Sequence, residues 1–579
     1  MLPARRRALV AAWTRRLLVL GVACLVAYAA RRTFFAGART LPGDGQTAVR
    51  YWELARASFA RGDGFPLWDR SECGGLPFVG NPEAPFVSAL FAALFGVGGE
   101  AMARWYATLG IVVAITGVYA WARRVFALST TSALFSGAIF GASGFVCGHF
   151  AGHASFVPFA LTPWILLLAR LGEDDPRAAL GAGALLGLST LEGGSYATPY
   201  TLLALAITEG PRLLSQGRAS KVLRLGALVL ASFALVAGVK LYPALVELAR
   251  HPRRIPETDH QAWTDLIPAF IETRAGGPLG HAYDVDEYRA YVGPLVVGFA
   301  IAGAGAALIL KPRRLEAVLL LVVGLVLARG AYGDTAPYAW LAKLPIFDQL
   351  RVPSRWLVLA LFGAAIVAGV ALDAALNIVA KGRLALQGVM LVVASIAIAD
   401  PLLACGKLQA QLATASMPPR LDVATTPFRY VDGRDGRVAE YPARDVGTVT
   451  CPTKAWDFPE AKGLAPGAPL ASLDPGAGSI GKIDVAQNRY EIELRATRPT
   501  TLHVHGSFDA DWRSDAGVPR RALDGQLDLP VPAGSRTIVL SYRPVAFVLG
   551  AVATCLGVLG LGAAMWLLRP SRRKASARL

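Results

Sequence analysis

What most limits the folds open to this chain is a feature that recurs along it. Apolar runs of about 15 to 22 residues, bounded by charge or by Gly and Pro, occur roughly twelve times. They lie near residues 17–35, 103–121, 131–148, 154–170, 178–192, 197–210, 224–242, 291–310, 315–329, 356–375, 384–403 and 545–568. A hydrocarbon core of about 30 Å needs about 20 helical residues to cross it. Several runs are shorter, which predicts tilted, broken or bundle-packed segments. Composition agrees: 54% of the 579 residues are hydrophobic and 17% charged, against about 25% charged in an ordinary soluble chain. The chain therefore reads as mainly α, a polytopic transmembrane bundle of about twelve spans.

The formal net charge of +17 does not imply a nucleic-acid partner, because no basic-aromatic module accompanies it. A basic excess is what cytoplasmic loops of a membrane protein carry. The N-terminus has a basic start and an apolar run but no clean small-residue cleavage site, and many spans follow. It reads as a retained first span with its basic end in the cytoplasm. Alternation then places Arg123 and Arg124, Arg170 and Arg177, Arg212 to Arg224, Lys311 to Arg314, Lys381 and Arg383, and the tail from Arg569 all inside. Every second loop is short and basic, as the positive-inside rule requires, and both termini are cytoplasmic.

The opposite loops are longer and richer in polar chemistry: 37–102, turns around His149 and Glu192, 243–290, 330–355 and 406–544. Function is expected on that face, since loops held by rigid spans carry it. Within 406–544, YEIELRAT, TLHVHGSF, GQLDLPV and RTIVLSYRP alternate as strands of a small β-sandwich, with PAGS as a turn. Three parts follow: a bundle over 1–404, an extracytoplasmic part over 405–544 with the sandwich in its second half, and a last span with a basic tail over 545–579. Of the six cysteines, three lie inside apolar runs and none forms a CxxC pair, so neither a zinc site nor a disulfide framework is indicated. Cys73 and Cys451 could meet outside the cytoplasm, with two separate thiols the favoured reading.

The first outer stretch, 43–85, concentrates acids, aromatics, Gly and Pro. Asp44 stands there either as a general base at the membrane interface or as the N-cap of an amphipathic interfacial helix, TAVRYWELARASF. The run from Pro66 to Pro85 carries Asp69, Glu72 and Glu83 on a frame stiffened by prolines, with Gly74 and Gly75 free to take unusual backbone angles. It is expected to form a rigid wall. His149 and His153 share one helix face at a spacing compatible with metal. No third ligand is evident, and an ordinary interfacial pair is the better reading. Glu192 ends a span, where carboxylates are expensive. Lys240 and Tyr242 end another, able to meet an anionic headgroup or merely to snorkel. Arg351 and Arg355, beside Asp348, break the positive-inside pattern with a spacing suited to phosphate or to a salt bridge with that acid; Arg289 is a weaker position of the same kind. No cofactor is required by the sequence, and a divalent metal stays open.

Five landmarks in order resemble the bacterial YfhO family: GDGQ with PLWDRSECGGLPFVGNPEAP, LLGLSTLEGGSYATPYTLLAL, KLYPALVELAR, LPIFDQLRVPSRWLVLALFG, and the closing NRYEIELRAT…VPAGSRTIVLSYRP. The resemblance covers nearly the whole chain. It implies a GT-C glycosyltransferase-like architecture in a bacterial cytoplasmic (inner) membrane, with the β-part and the site extracytoplasmic. It further implies transfer of a sugar from a polyprenyl-phosphate donor to a cell-envelope glycan, lipid or protein acceptor. By position, Asp44 matches the acid used as base or acceptor-orienting group, and Arg351 and Arg355 match arginines where a donor phosphate sits. Asp69 stands where the family has Asn, Glu83 where it has Gln, and Glu192 to Ser195 where it has a GHPQ-like run. Two other readings remain: a transporter of lipid carriers or envelope precursors, which predicts inverted halves not evident here, and a non-catalytic glycan-binding assembly protein, in which Asp44 only caps its helix.

Overall fold

Helices occupy all twelve apolar runs. The computed structural model describes residues 2–36, 44–85, 95–252, 259–273, 285–310, 315–379, 384–412, 427–433, 438–450 and 461–568. In chain order the helices are α1 (Leu2–Ala36), α2 (Asp44–Ala60), α3 (Gly99–Val125), α4 (Thr130–Ala142), α5 (Gly144–Gly152), α6 (Thr162–Leu171), α7 (Pro176–Leu191), α8 (Ala197–Ser215), α9 (Ala219–Arg250), α10 (Pro294–Leu310), α11 (Leu315–Ala328), α12 (Leu357–Val379), α13 (Leu384–Leu412) and α14 (Val545–Leu567). Seven helical segments among the described residues are long and apolar enough to cross a membrane, or eight if α4 and α5, bent by 46°, are one span. The remaining runs are helical but, among the described residues, fall below that length or apolarity.

Side-chain size explains the packing. The window of the span that includes α12 is 94% buried, making it the bundle's axis, whereas only 11% of α14's is. Glycines let neighbours close on that axis: a Cβ at Gly303 would strike the Val367 carbonyl, and Gly324 and Gly363 abut Ala360 and Ala317. Small residues at such crossings are how membrane helices gain contact without a hydrophobic drive. Helices α9 and α14 run antiparallel by the same device, with Gly238 against Gly550 and the Val239 amide donating 2.9 Å to Thr554. At the end of the bundle away from the sheets, Arg170 holds Glu209 and Glu316 (2.9 and 2.8 Å), and Arg212 reaches Glu209 (2.6 Å) and Glu173.

The strands are β1 (Trp68–Asp69), β2 (Leu76–Pro77), β3 (Arg429–Val431), β4 (Val446–Thr448), β5 (Ala471–Leu473), β6 (Gly478–Ala486), β7 (Arg489–Ala496), β8 (Thr500–Ser507), β9 (Trp512–Ser514), β10 (Arg520–Arg521), β11 (Gln526–Val531) and β12 (Gly534–Tyr542). Two four-stranded sheets, β10-β11-β8-β5 and β6-β7-β12-β9, share one core in which Leu502, Leu529, Ile538 and Leu540 are wholly buried. The strands expected from alternation fall at β7, β8, β11 and β12; β5, β6, β9 and β10 complete the two layers.

The run from Pro66 to Pro85 is more than a wall. Trp68, Cys73 and Leu76 belong to the sandwich core, with the Trp68 ring 5.4 Å from Trp512 and 4.8 Å from Tyr542. Asn488 receives the Leu67 and Trp68 amides (2.8 and 3.1 Å) and donates to the Phe65 carbonyl (2.8 Å). This run fastens the sandwich to the bundle. Two expectations about cysteines are also corrected: Cys147 and Cys405 form a disulfide, their Cα atoms 5.7 Å apart, and Cys73 is disulfide-bonded. Both apolar runs of the first pair end on one face, which brings their thiols together. Cys451 lies outside the described residues.

Candidate functional site

On the end of the bundle that bears the sandwich, polar side chains are gathered from elements distant in sequence. Helix α2 leads them in. It was expected at the interface, yet Ala48 to Ala55 are all buried, because its charges find partners inside. Arg50 is paired with Asp69 and Glu72, with all three side chains at most 3% exposed. The other Asp69 oxygen accepts from the Ser71 amide and hydroxyl (2.9 and 2.5 Å). Asp69 is thereby saturated, as a buried ion must be. Glu53 ties α2 to α3 by accepting from the Gly99 amide (2.6 Å). Asp44 opens α2; its side chain lies outside the described residues.

Beside α2, Asn81 donates to the Tyr51 hydroxyl (2.8 Å), and its carbonyl receives the ammonium of Lys240, only 1% exposed. Lys240 is therefore a strut between α9 and the loop rather than a snorkelling group. Burial pushes the Tyr51 phenol up, against the Arg50 cation that lowers it. Tyr242 is half-buried without a polar partner among the described residues. Glu83 is half-exposed, its amide donating 2.9 Å to Asn81, and its carbonyl packs on Gly193, at φ 77°, where no side chain would fit. Glu192, buried, shares a hydrogen bond with Tyr106.

The second half of the mouth is built around Glu287, which the sequence reading passed over. Arg355 donates to both its oxygens (2.9 and 2.5 Å) and lies over the rings of Tyr196 and Phe156, 4.4 and 4.9 Å from their centroids. Ser354 fixes the backbone by donating 2.7 Å to the Glu287 carbonyl. His149 Nε2 stands 3.3 Å and His153 Nε2 3.9 Å from the same carboxylate. Burial works to raise the Glu287 carboxyl, but Arg355, with His149, holds it well below the usual range. The structure thus joins His149, His153 and Arg355 around one carboxylate. His149 Nδ1 faces the Phe145 carbonyl at 3.2 Å and Nε2 faces Glu287, so a neutral ring donates through one nitrogen and keeps its lone pair on the other.

Asp348 is exposed and pairs with neither arginine; the acid that Arg355 uses is Glu287. Arg351, half-buried, has no hydrogen-bond or ion-pair partner among the described residues, and its Nε is inaccessible to solvent. Ser195 Oγ, in the turn after Glu192, is another buried atom without a partner among the described residues. Such atoms are costly to leave unmet and show where the mouth can accept a polar ligand. Among the described residues, the group suited by spacing to a metal is Glu247, His251 and Asp509, its ligand atoms within 4.8 Å of one another. Arg250 already lies 3.3 Å from Glu247 and 4.0 Å from Asp509, a cation in the place of the ion. Glu287 carried one sequence signal: two arginines outside the positive-inside pattern need an acid, and the loop before Tyr291 supplies one.

Fold and site together define a polytopic membrane protein with a polar mouth at one membrane face, roofed by a β-sandwich. No family model matches the chain, and no curated protein does. Similar solved structures include the arabinofuranosyltransferase AftD from Mycobacteria (20% identity, TM-score 0.45, covering 69% of this chain and 27% of that one). Others are ArnT from Cupriavidus metallidurans bound to undecaprenyl phosphate (14%, TM-score 0.46, 76% and 86%) and the Archaeoglobus fulgidus oligosaccharyltransferase with zinc and sulfate (14%, TM-score 0.44, 75% and 62%). This chain spans 27% of the AftD chain. At these scores the likeness carries no argument, and function is read from the residues.

Proposed function

We propose that the protein is a membrane glycosyltransferase of GT-C type, moving a sugar from a polyprenyl-phosphate donor to a cell-envelope acceptor on the sandwich-bearing face, taken as extracytoplasmic. The observation that carries this reading is Arg351: a guanidinium without a counter-ion among the described residues, at the mouth of a membrane bundle, four residues before an arginine whose own charge Glu287 has matched. A guanidinium fork suits a phosphate bidentately. A polyprenyl carrier cannot leave the bilayer, so its phosphate must be met at this depth. In the proposed step a carboxylate accepts the acceptor hydroxyl's proton, the new C–O bond forms at the sugar carbon, and the bond to the carrier phosphate breaks with its electrons leaving on the phosphate. Arg351 stabilises that anion, Asp44 is the proposed base, and Arg355 with Glu287 shapes the floor rather than binding phosphate itself.

The test is to reconstitute the full chain in lipid and follow release of carrier phosphate from a panel of polyprenyl-phosphate sugars. Asp44→Asn is expected to abolish release with the protein still in the membrane. Arg351→Ala is expected to raise the donor KM by roughly ten- to a hundredfold, the worth of a charge-assisted hydrogen bond of about 1.5–3 kcal/mol. An inert panel, or an unchanged donor KM, overturns the proposal in favour of a transporter or a glycan-binding protein.

A further inference from the structure

The sandwich has a membrane end, and strand order identifies it. Strand β12 finishes at Tyr542, just before α14 starts at Val545. Antiparallel pairing places the start of β7 there, Ser541 facing Arg489, and β9 begins there too, Tyr542 facing Trp512. The loop after β8 leads into β9, so the end of β8 is at the same level, and Gln526 faces Ser507. The turn joining β10 to β11 is therefore at the membrane end. The far end holds the turn before Gly534 and, beside Pro530 and Leu529, Gly517.

That turn is rigid and its depth is fixed. The Gly525 amide donates 3.0 Å to Ala522, the Ala522 amide 2.9 Å to Gln526, and the Phe508 amide 3.0 Å to the Gly525 carbonyl. Next to Phe508, Asp511 holds Arg250 (3.0 Å), at the last turn of α9. Because Gly238 lies against Gly550, and Leu235 against Gly557, in the antiparallel pair, Val545 is level with about residue 245. Arg250 then stands about five residues, roughly 7–8 Å, beyond the start of α14. The lipid-facing surface begins at that start, with Val545, Val548 and Leu549 exposed. The headgroup layer is roughly 5–8 Å deep on each side, so the turn is held at headgroup depth.

At its tip Leu523 is fully exposed, at 111%. Arg520 and Arg521, just before it in the chain, and Arg543, at the same end of the sandwich, are exposed and make no ion pair among the described residues. Asp524 is turned back onto Gln526, accepting from its amide and side chain (3.0 and 2.9 Å). We propose that the Ala522–Gly525 turn is a membrane-contacting tip: Leu523 enters the boundary between headgroups and acyl chains, and Arg520, Arg521 and Arg543 meet lipid phosphates. The sandwich is then held on the bilayer by a second point besides α14. An apolar tip accompanied by cations is the composition of an interfacial anchor, and each Arg near an anionic surface adds to its attraction.

The experiment uses the full chain with Cys24 and Cys555 replaced, in vesicles of mixed zwitterionic and anionic phospholipid. A bimane is attached at Leu523→Cys or, at the far end, at Val518→Cys; Val518 is also exposed, at 78%. Both sites point away from the core, so neither label disturbs folding. With lipids spin-labelled high on the acyl chain, the label at 523 is expected to be quenched several-fold more than the label at 518. Adding Arg520→Glu and Arg521→Glu should remove most of that difference. Equal quenching at the two sites overturns the proposal, and quenching at 523 that survives both charge reversals overturns the part assigned to the arginines.

Discussion

Arg351 and Arg355 look alike in sequence, but only one has its charge matched. Arg355 is 8% exposed and bidentate on Glu287, whereas Arg351 faces no acid among the described residues. Removing one partner of a buried pair leaves an uncompensated charge and costs about 3–5 kcal/mol, while removing both is far milder. Arg355→Ala is therefore expected to lower the thermal unfolding temperature sharply, Arg351→Ala to leave it unchanged, and Arg355→Ala with Glu287→Gln to recover much of the loss. The pH dependence has a definite sign. The folded Glu287 carboxyl sits below its ordinary value of 4.5, so its contribution is complete above that value and lost as pH falls through the lower folded one. Thermal unfolding in detergent should show a full, pH-independent contribution from this pair between pH 5 and 8 and a Glu287-dependent loss only under stronger acid. A wild-type midpoint that equals the Glu287→Gln variant's would remove the ion pair from the account. The arginines were legible because they broke a charge rule; their different fates were not, since the acid that separates them comes from another loop.

At the scale of elements, the loop from Pro66 to Leu76 shows what composition conceals. Its glycines and prolines announce rigidity, but rigidity alone does not say what the loop grips. Trp68 supplies that, buried between Trp512 and Tyr542, and Gly75 makes it possible: at φ 113° a Cβ there would run into the Trp68 indole. Gly64 is the natural control, with φ 76° but open space where its Cβ would be. At Gly64 an alanine meets only the left-handed backbone cost of about 1–2 kcal/mol. Gly75→Ala adds displacement of a core tryptophan, whose loss by truncation costs about 3–5 kcal/mol. Limited proteolysis should thus release the sandwich from the bundle readily in Gly75→Ala and scarcely faster than wild type in Gly64→Ala. Equal behaviour would mean that Trp68 is not the fastening. Helix α2 teaches the same lesson. Its alternating charges read as a surface helix, and only Asp69 and Glu72, folded back over it, allow Arg50 to be buried.

For the whole molecule, the apolar runs located the helices and the β-alternation located the two-layered sandwich, because both periodicities are local. How many helices cross a membrane was less legible, since hydropathy does not tell a spanning helix from a short one packed inside. The orientation is a statement about the two faces, and it can be argued from where charge collects. Around the turn between α8 and α9 stand Arg212, Arg218, Lys221 and Arg224, and Arg212 and Arg218 are paired with Glu173 and Glu209. Such pairing does not weaken the orientation signal, because the positive-inside bias counts Lys and Arg near span ends rather than net charge. The sandwich lies at the other end of α9, beside Arg250. With Cys24 and Cys555 replaced, a cysteine at Ser479 on β6 is expected to react with a membrane-impermeant maleimide on intact cells, and one at Gln216 only after permeabilisation; both positions are exposed. The reverse pattern would put the polar mouth in the cytoplasm. A carrier-linked sugar presented on the outer face could not then reach Arg351, and the glycosyltransferase reading would fall with the topology.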